Sequence, residues 1–190
     1  MRVIAGTARG QRLDAPRGRD VRPTADRVRE ALFSSLAPVV PGARVLDLFA
    51  GSGALGIEAL SRGAARATLV ERDRRAAAVA ERNLARTGLA DRGWLVRADA
   101  GVFAGRPEGG PFDLVLADPP YGDPLPGVYE LLGRLHAAGA LSPGAVIVVE
   151  RDRRDPDLEA ERPSFLALDR RRSYGDTLLL YLRSTGEPSR

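Results

Sequence analysis

The chain has 190 residues, of which 44% are hydrophobic and 28% charged, a composition typical of one globular domain with a sizeable core. It contains no cysteine and a single histidine, which excludes disulfide bonds, thiolate metal sites and multi-histidine metal sites. No apolar run approaches the roughly 18 residues of a membrane span, and the first ten residues lack the apolar core of a signal peptide, so we expect a cytoplasmic protein.

Positive charge is concentrated at the N-terminal end. All 29 basic residues are arginine, and residues 1–30 hold eight of them against four acids. Arginine can pair bidentately with phosphate groups. The N-terminal end is therefore a candidate phosphate-binding segment, although a solvated basic face fits the composition equally well.

The first predicted elements precede the core. Two short segments around Gly6–Gly10 predict a basic β-hairpin within residues 2–16, which is too small to be a domain. A helix then opens at Thr24 and turns an apolar face inward, with leucines at Leu32 and Leu36.

Strands and helices alternate through the rest of the chain. Strands are predicted at residues 44–49, 67–71, 94–99, 112–117 and 145–150, and helices at 54–63, from the N-cap Asp73 to Gly88, and at 126–138. Such alternation, with continuously apolar strands, predicts an α/β fold whose parallel sheet is covered by helices on both faces.

The C-terminal part of the chain breaks this alternation. Strands at 164–169 and 177–182 are separated by "RRRSYGD", a length that suits a hairpin, so we expect an antiparallel strand at the end of the sheet. Residues 151–163 have no apolar face and are interpreted as a solvated connection. We expect Trp94 to lie in the core.

A glycine loop follows the first core strand. Gly51, Gly53 and Gly56 match the spacing G-x-G-x-x-G, with Glu71 some 20 residues further on, and taken literally this is a dinucleotide fingerprint. However, Asp47 stands near the end of the strand, where it would repel a pyrophosphate. A nicotinamide-binding oxidoreductase also needs a hydride-site His or Lys in the crevice. The chain has no Lys, and its one His, His136, is predicted on a helix flank.

S-adenosylmethionine (SAM) fits this loop better than a dinucleotide does. It has no phosphate, and its cationic sulfonium and ammonium groups favour a nearby acid such as Asp47. At the ends of the next two strands, Glu71 can accept hydrogen bonds from ribose hydroxyls and Asp99 from an adenine amine. Ligands bind at the carboxyl ends of the strands in such sheets, so the sequence predicts a SAM site there.

The stretch "DPPY", residues 118–121, follows the fourth core strand. Asp118 and the carbonyl of Pro119 can each accept one N–H of an exocyclic amine, and consecutive prolines hold that carbonyl in place. Tyr121 offers a face on which a base taken out of its stack can lie. The pattern predicts methyl transfer to the amine of a nucleobase.

These motifs resemble SAM-dependent amino-methyltransferases, and more specifically the bacterial 16S rRNA (guanine-N2) methyltransferase family. The likeness spans nearly the whole chain and rests on "MRVIAGTARGQRL", "RPTADRVREALF", "VLDLFAGSGALGIEALSRGA", "VERD", "LADPPYG" and "YGDT". It implies a Rossmann-like, seven-stranded methyltransferase domain at 22–190 behind an RNA-binding hairpin at 1–21.

Taken with that resemblance, the motifs yield three sets of site residues. The cofactor residues are Asp47, Phe49, Gly51, Ser52, Gly53, Glu71, Arg72, Asp99, Ala100 and Asp118. The residues that hold the target base are Asp118, Pro119 and Tyr121. The RNA-binding residues are Arg9, Arg12, Arg17, Arg19, Arg22, Thr24, Arg27, Tyr121 and Tyr174.

The expected partners are SAM and the 16S rRNA of the small ribosomal subunit or its assembly intermediate, with no metal, no membrane and a monomeric state. An adenine-N6 methyltransferase acting on RNA or DNA would use the same "DPPY" chemistry, and a non-catalytic assembly factor could keep the same fold. The run Arg170–Arg172 fits solvation and RNA contact equally.

Overall fold

The protein is built around one seven-stranded sheet. The computed structural model describes residues 1–16, 23–120 and 122–185. The strands are β1 (Arg44–Asp47), β2 (Arg66–Val70), β3 (Gly93–Val96), β4 (Phe112–Ala117), β5 (Leu141–Asp152), β6 (Leu166–Tyr174) and β7 (Thr177–Ser184). The helices are α1 (Pro23–Ser35), α2 (Ala54–Ser61), α3 (Arg74–Arg86), α4 (Ala100–Gly105) and α5 (Leu125–Ala137), with a short 3-10 helix at Pro156–Glu159.

The strand order is β3-β2-β1-β4-β5-β7-β6. Strands β1 to β5 pair in parallel, β7 pairs antiparallel with β5, and β6 pairs antiparallel with β7. The expected α/β fold with an antiparallel C-terminal strand is confirmed. Because β1 to β5 are parallel, their carboxyl ends meet along one side of the sheet, here called the carboxyl edge.

Two hydrophobic clusters cover the two faces of the sheet. One contains apolar residues of α1, α2 and α3, among them Leu32, Ile57 and Leu84. The other contains residues of α4 and α5, including Phe103 and Leu132. Strand side chains alternate between the clusters, as the period of a strand requires.

Local signals in the sequence predict the starts of two helices to within one residue. The side chain of Asp73 accepts hydrogen bonds from the backbone N–H groups of Arg75 and Ala76, so it caps α3 as predicted. The helix expected to open at Thr24 begins one residue earlier, at Pro23, a residue type favoured in the first helical turn.

The N-terminal segment, residues 1–16, packs on the α1 side of the sheet. Its strand-like pairing is limited to one antiparallel bridge between Arg2 and Arg12. Val3 and Leu13 are nevertheless buried in the core cluster of α1, α2 and α3. The buried carboxylate of Glu58 accepts hydrogen bonds from the backbone N–H groups of residues 4 and 5 at 2.8 and 3.0 Å, which anchors the segment to α2.

Three expectations about burial and turns are wrong. Trp94 is 65% exposed, and β3 is an outer strand that pairs with a neighbour on one side only. Residues 151–163 are not simply solvated, since the side chains of Arg151 and Asp155 form an ion pair and are each only 6% exposed. The last hairpin turns at Gly175 and Asp176 alone, because Tyr174 already pairs with Thr177.

Within the described ranges, no helix combines the length and apolar character that crossing a membrane would need.

Candidate active site

The glycine loop between β1 and α2 depends on a backbone that only glycine adopts readily. Gly51 and Gly53 have φ angles of 55° and 80°. A Cβ atom on Gly53 would lie 2.9 Å from a methyl group of Leu69, so a side chain would also clash with the sheet. The loop therefore runs close over β2 at the carboxyl edge.

Asp47 ends β1 directly beneath this loop and is 1% exposed. Its Oδ2 accepts a hydrogen bond from the Gly56 N–H at 2.9 Å, and its buried Oδ1 has no hydrogen-bond partner among the described residues. Burial raises the pKa of this carboxyl from 3.8 to about 7, and the charges of Asp118 and Glu71 contribute to the shift. An unpartnered buried carboxyl oxygen is an acceptor suited to a cationic ligand.

Glu71 follows β2 and connects the loop to the next helix. Its Oε2 accepts from the Gly51 N–H at 2.8 Å, and its Oε1 accepts from the Asp73 N–H at 2.7 Å. Each carboxylate oxygen retains a further lone pair. Glu71 thus holds the glycine loop in place and can still accept hydrogen bonds from a bound ligand.

Asp99 follows β3 and begins α4. Its Oδ1 caps the helix through the Gly101 N–H at 2.8 Å, and its Oδ2 lies 3.5 Å from the Arg72 guanidinium. Its side chain is 52% exposed. Asp99 is therefore accessible to a ligand while its position is fixed by the helix that it caps.

The "DPPY" segment follows β4, the strand beside β1. Asp118 is exposed and Pro119 is buried. The segment is supported from β5, where the buried Arg151 donates a hydrogen bond to the carbonyl of Asp123 at 2.8 Å. This brace just beyond the motif was not predicted, because its residues are 28 positions apart.

Glu150 is a second residue that the sequence reasoning missed. The pairing of Ala117 with Val149 brings it beside Asp118 at the carboxyl edge. Burial raises the pKa of Glu150 from 4.5 to about 8, and the charge of Asp118 adds to the shift. Only the register of β4 against β5 reveals this carboxyl pair.

A cleft of about 520 Å³ opens at the carboxyl edge. The predicted cofactor residues that line it are Phe49, Glu71, Arg72, Asp99, Ala100 and Asp118. Asp47, Gly51, Ser52 and Gly53 are buried and are not among its lining residues. The opposite wall was not predicted and comes from the start of α5, with Pro124, Gly127, Val128 and Leu131.

The structure describes only some of the predicted RNA-binding residues. Arg9, Arg12 and Arg27 are exposed, and Tyr174 is half-buried beside the core. Arg17, Arg19, Arg22 and Tyr121 lie outside the described residues, as does the side chain of Thr24. In the part of the chain that the structure describes, no group of three or more side chains is suited to hold a metal ion.

Comparison with known proteins places the chain in a family. The profile of the family described as "Conserved hypothetical protein 95" matches residues 1–183. The chain is similar to the ribosomal RNA small subunit methyltransferase D of Escherichia coli, with 45% identity over 80% of this chain and 75% of that one. It is also similar to the enzyme of the same name from Haemophilus influenzae, with 35% identity over 87% and 86%.

A solved structure shows the same architecture over the whole length. The Escherichia coli protein yhhF, described as a candidate methyltransferase, has a TM-score of 0.83 and 39% identity, and the match covers 98% of this chain and 99% of that one. The chain therefore belongs to the Conserved hypothetical protein 95 family, which includes the small-subunit rRNA methyltransferases D, and it is a methyltransferase.

Proposed function

We propose that the protein transfers a methyl group from SAM to the exocyclic N2 amine of a guanine in 16S rRNA, within the small ribosomal subunit or its assembly intermediate. The observation that carries the proposal is the cleft itself. It joins acids that follow β2 and β3 to Asp118 of the "DPPY" segment after β4. The names of the relatives support rRNA of the small subunit as the substrate class.

The chain's residues fit the parts of SAM in order along the carboxyl edge. Asp47 would balance the cationic methionine end through its unpartnered Oδ1. Glu71 would accept hydrogen bonds from the ribose hydroxyls, Asp99 would accept from the adenine amine, and Phe49 would pack against the apolar parts. When bound, SAM supplies a methyl group on a positively charged sulfur, which makes the methyl carbon electrophilic.

The base-binding side has to prepare a poor nucleophile, because the lone pair of an exocyclic amine is delocalised into the ring. Asp118 would accept one N–H of the amine and the Pro119 carbonyl the other, which turns the nitrogen toward sp³ geometry. The lone pair then forms the new N–C bond as the C–S bond breaks. The amine loses one proton after alkylation, and Asp118 or water takes it.

The rigid Pro119–Pro120 dipeptide contributes by holding the carbonyl acceptor in place before the base arrives. The brace from Arg151 to the Asp123 carbonyl supports the same loop from β5. Tyr121 is proposed to stack on the extruded base.

The test is a methyl-transfer assay with radiolabelled SAM. Purified protein is incubated with undermethylated small subunits, naked 16S rRNA and duplex DNA, and labelled nucleosides are identified after digestion. We expect N2-methylguanine on small subunits. An Asp118→Ala variant should lose about a hundredfold or more in rate, the scale of losing one preorganised hydrogen-bonding group at a reacting atom.

A matched control is Asp91→Ala, since Asp91 is an exposed acid in the α3–β3 loop, at the opposite end of β3 from the carboxyl edge. It should retain full activity. Methyladenine as the product would overturn the guanine assignment and keep the chemistry. SAM binding without label on any substrate would favour a non-catalytic assembly factor.

A further inference from the structure

Strand β6 carries a feature that the proposed site does not use. It is an outer strand of the sheet, and it contains three consecutive exposed arginines, Arg170, Arg171 and Arg172. A run of charge on an outer strand can serve simply to prevent edge-to-edge pairing with other chains. The structure gives grounds for a more specific role.

Strand pairing divides the three arginines between the two faces of the sheet. Arg170 pairs with Tyr181 and Arg172 with Leu179, and both partners belong to the core cluster on the α1 side. Arg171 pairs with Leu180, which belongs to the cluster on the other side. Because directly paired residues share a face, Arg170 and Arg172 lie on the α1 face and Arg171 lies on the opposite face.

The α1 face of β6 leads toward the active site. Strand β6 is antiparallel to β7, which is antiparallel to β5, so β6 runs in the same direction as the parallel strands. It therefore ends at the carboxyl edge, where Asp118 follows β4. Tyr174, the last residue of β6 and a predicted RNA contact, stands at that end.

The side chains of the two arginines differ in their contacts with the rest of the protein. The Arg170 guanidinium lies 4.4 Å from the centre of the Tyr181 ring and donates to the Ser35 carbonyl at 3.5 Å, which restricts its position. Arg172 forms no side-chain hydrogen bond or ion pair with another residue of the described part of the chain. Two residues apart on a strand, their Cα atoms are about 6.6 Å apart.

The acids closest to them in sequence are already neutralised by other arginines. Asp169 pairs with Arg183 at 3.2 Å, and Asp176 pairs with Arg154 at 2.9 Å. The charge of the α1 face of β6 therefore remains positive, and a polyanion is the partner that it fits.

We propose that Arg170 and Arg172 form a phosphate-binding track that holds the rRNA along β6 and delivers it to the carboxyl edge. This inference rests on the proposed function, because the polyanion is taken to be the small-subunit rRNA. Phosphate contacts of this kind fix the position of the RNA without selecting its sequence.

The test compares Arg170→Glu/Arg172→Glu with Arg171→Glu, which reverses one charge of the same strand on the opposite face. Undermethylated small subunits are the substrate, and the KM, kcat and salt dependence of binding are measured together with SAM affinity. Loss of two phosphate contacts should raise the KM about 30-fold at about 0.1 M salt. It should also lower the slope of log K against log salt by about 1.5.

We expect kcat and SAM affinity to stay unchanged in the double variant, and the Arg171→Glu protein to behave like the wild type. If both variants show the same rise in KM, or if neither changes the KM and the salt slope, the phosphate-binding track is wrong. The arginines then serve only to prevent edge-to-edge pairing with other chains. If the double variant precipitates, Arg172→Glu alone decides the question, with about a sixfold expected rise in KM.

Failure of the two proposals can be told apart. Wild-type protein that transfers no methyl group to small subunits refutes the proposed function. Wild-type transfer together with an unaffected double variant refutes only the track.

Discussion

Replacing Asp47 by asparagine should make the protein more stable and at the same time weaken cofactor binding. Burial raises the pKa of this carboxyl from 3.8 to about 7. At pH values between these two, the folded protein therefore holds a proton on Asp47 that it releases on unfolding. Its contribution to stability is therefore fully present below pH 3.8 and is lost as the pH rises toward 7. Above about pH 7, the difference between the folded and unfolded pKa values corresponds to a loss of about 4 kcal/mol in the free energy of unfolding.

The asparagine side chain introduced by this substitution has nearly the same shape as aspartate, and its amide oxygen can still accept from the Gly56 N–H. The substitution removes the penalty of a buried charge, so the gain should be small at about pH 4 and up to about 4 kcal/mol at about pH 8.5. For a domain of this size that gain corresponds to a rise in Tm of about 8–16 °C at the higher pH.

The assay is thermal denaturation between about pH 4 and about pH 8.5, paired with calorimetric titration of SAM. Under the proposed function, Asp47→Asn binds SAM about tenfold or more weakly, because the buried carboxylate beneath the glycine loop no longer attracts the cationic ligand. Asp91→Asn, at an exposed position, should change neither quantity. A gain in Tm that is the same at both ends of the pH range would refute the argument from the buried charge.

Three further substitutions test other parts of the site. Glu150→Gln should stabilise the protein above about pH 8 and have little effect at acidic pH, since the pKa of this largely buried carboxyl is raised to about 8; urea denaturation with no pH-dependent gain would contradict this. Arg151→Met should destabilise the fold by about 3–5 kcal/mol, because it leaves the buried Asp155 carboxylate without its counter-ion; a loss below about 1 kcal/mol in the same urea assay would show that the pair is solvated. Gly53→Ala should lower the Tm and SAM affinity more than Gly10→Ala, which has a similar positive φ but open space around its Cβ; equal losses would mean that backbone strain alone is responsible.

Much of the candidate site at the carboxyl edge could be predicted from the sequence, because the signals that indicate it are local. The N-cap at Asp73, the left-handed glycines of the loop and the proline pair after β4 each act within a few residues. An acid that follows an apolar strand lies at the carboxyl edge wherever that strand stands in a parallel sheet. This is why Asp99 and Asp118 could be assigned to one cleft before the strand order was known.

Two of the wrong expectations concern residues whose burial depends on what a neighbouring strand or loop covers. Trp94 was expected in the core because the apolar run around it matches a buried strand, but β3 has a partner on one side only. Arg151 lies in a charged stretch that looks solvated, yet it is buried against the loop after β4. Neither outcome is encoded in the pattern of its own segment.

Asn83 illustrates the same limit in the core. Its amide group exchanges hydrogen bonds with the backbone N–H and carbonyl of Asp14 at 2.9 and 3.0 Å, and it donates to the Ser52 carbonyl at 2.9 Å. One buried residue of α3 thus ties the N-terminal segment to the glycine loop. Within the sequence it is simply a polar residue on a helix.

The sequence by itself determined the fold class and most of the strands and helices, α4 excepted, and it predicted the acids that follow the strands, since capping, left-handed turns and hydrophobic periodicity are set by residues close together in the chain. The tertiary structure alone decided the carboxyl pair of Glu150 and Asp118, the burial of Arg151 and which face of the sheet Arg170 and Arg172 occupy. Each of these depends on the register of one strand against another, and register is fixed by packing across the whole sheet rather than by any single segment.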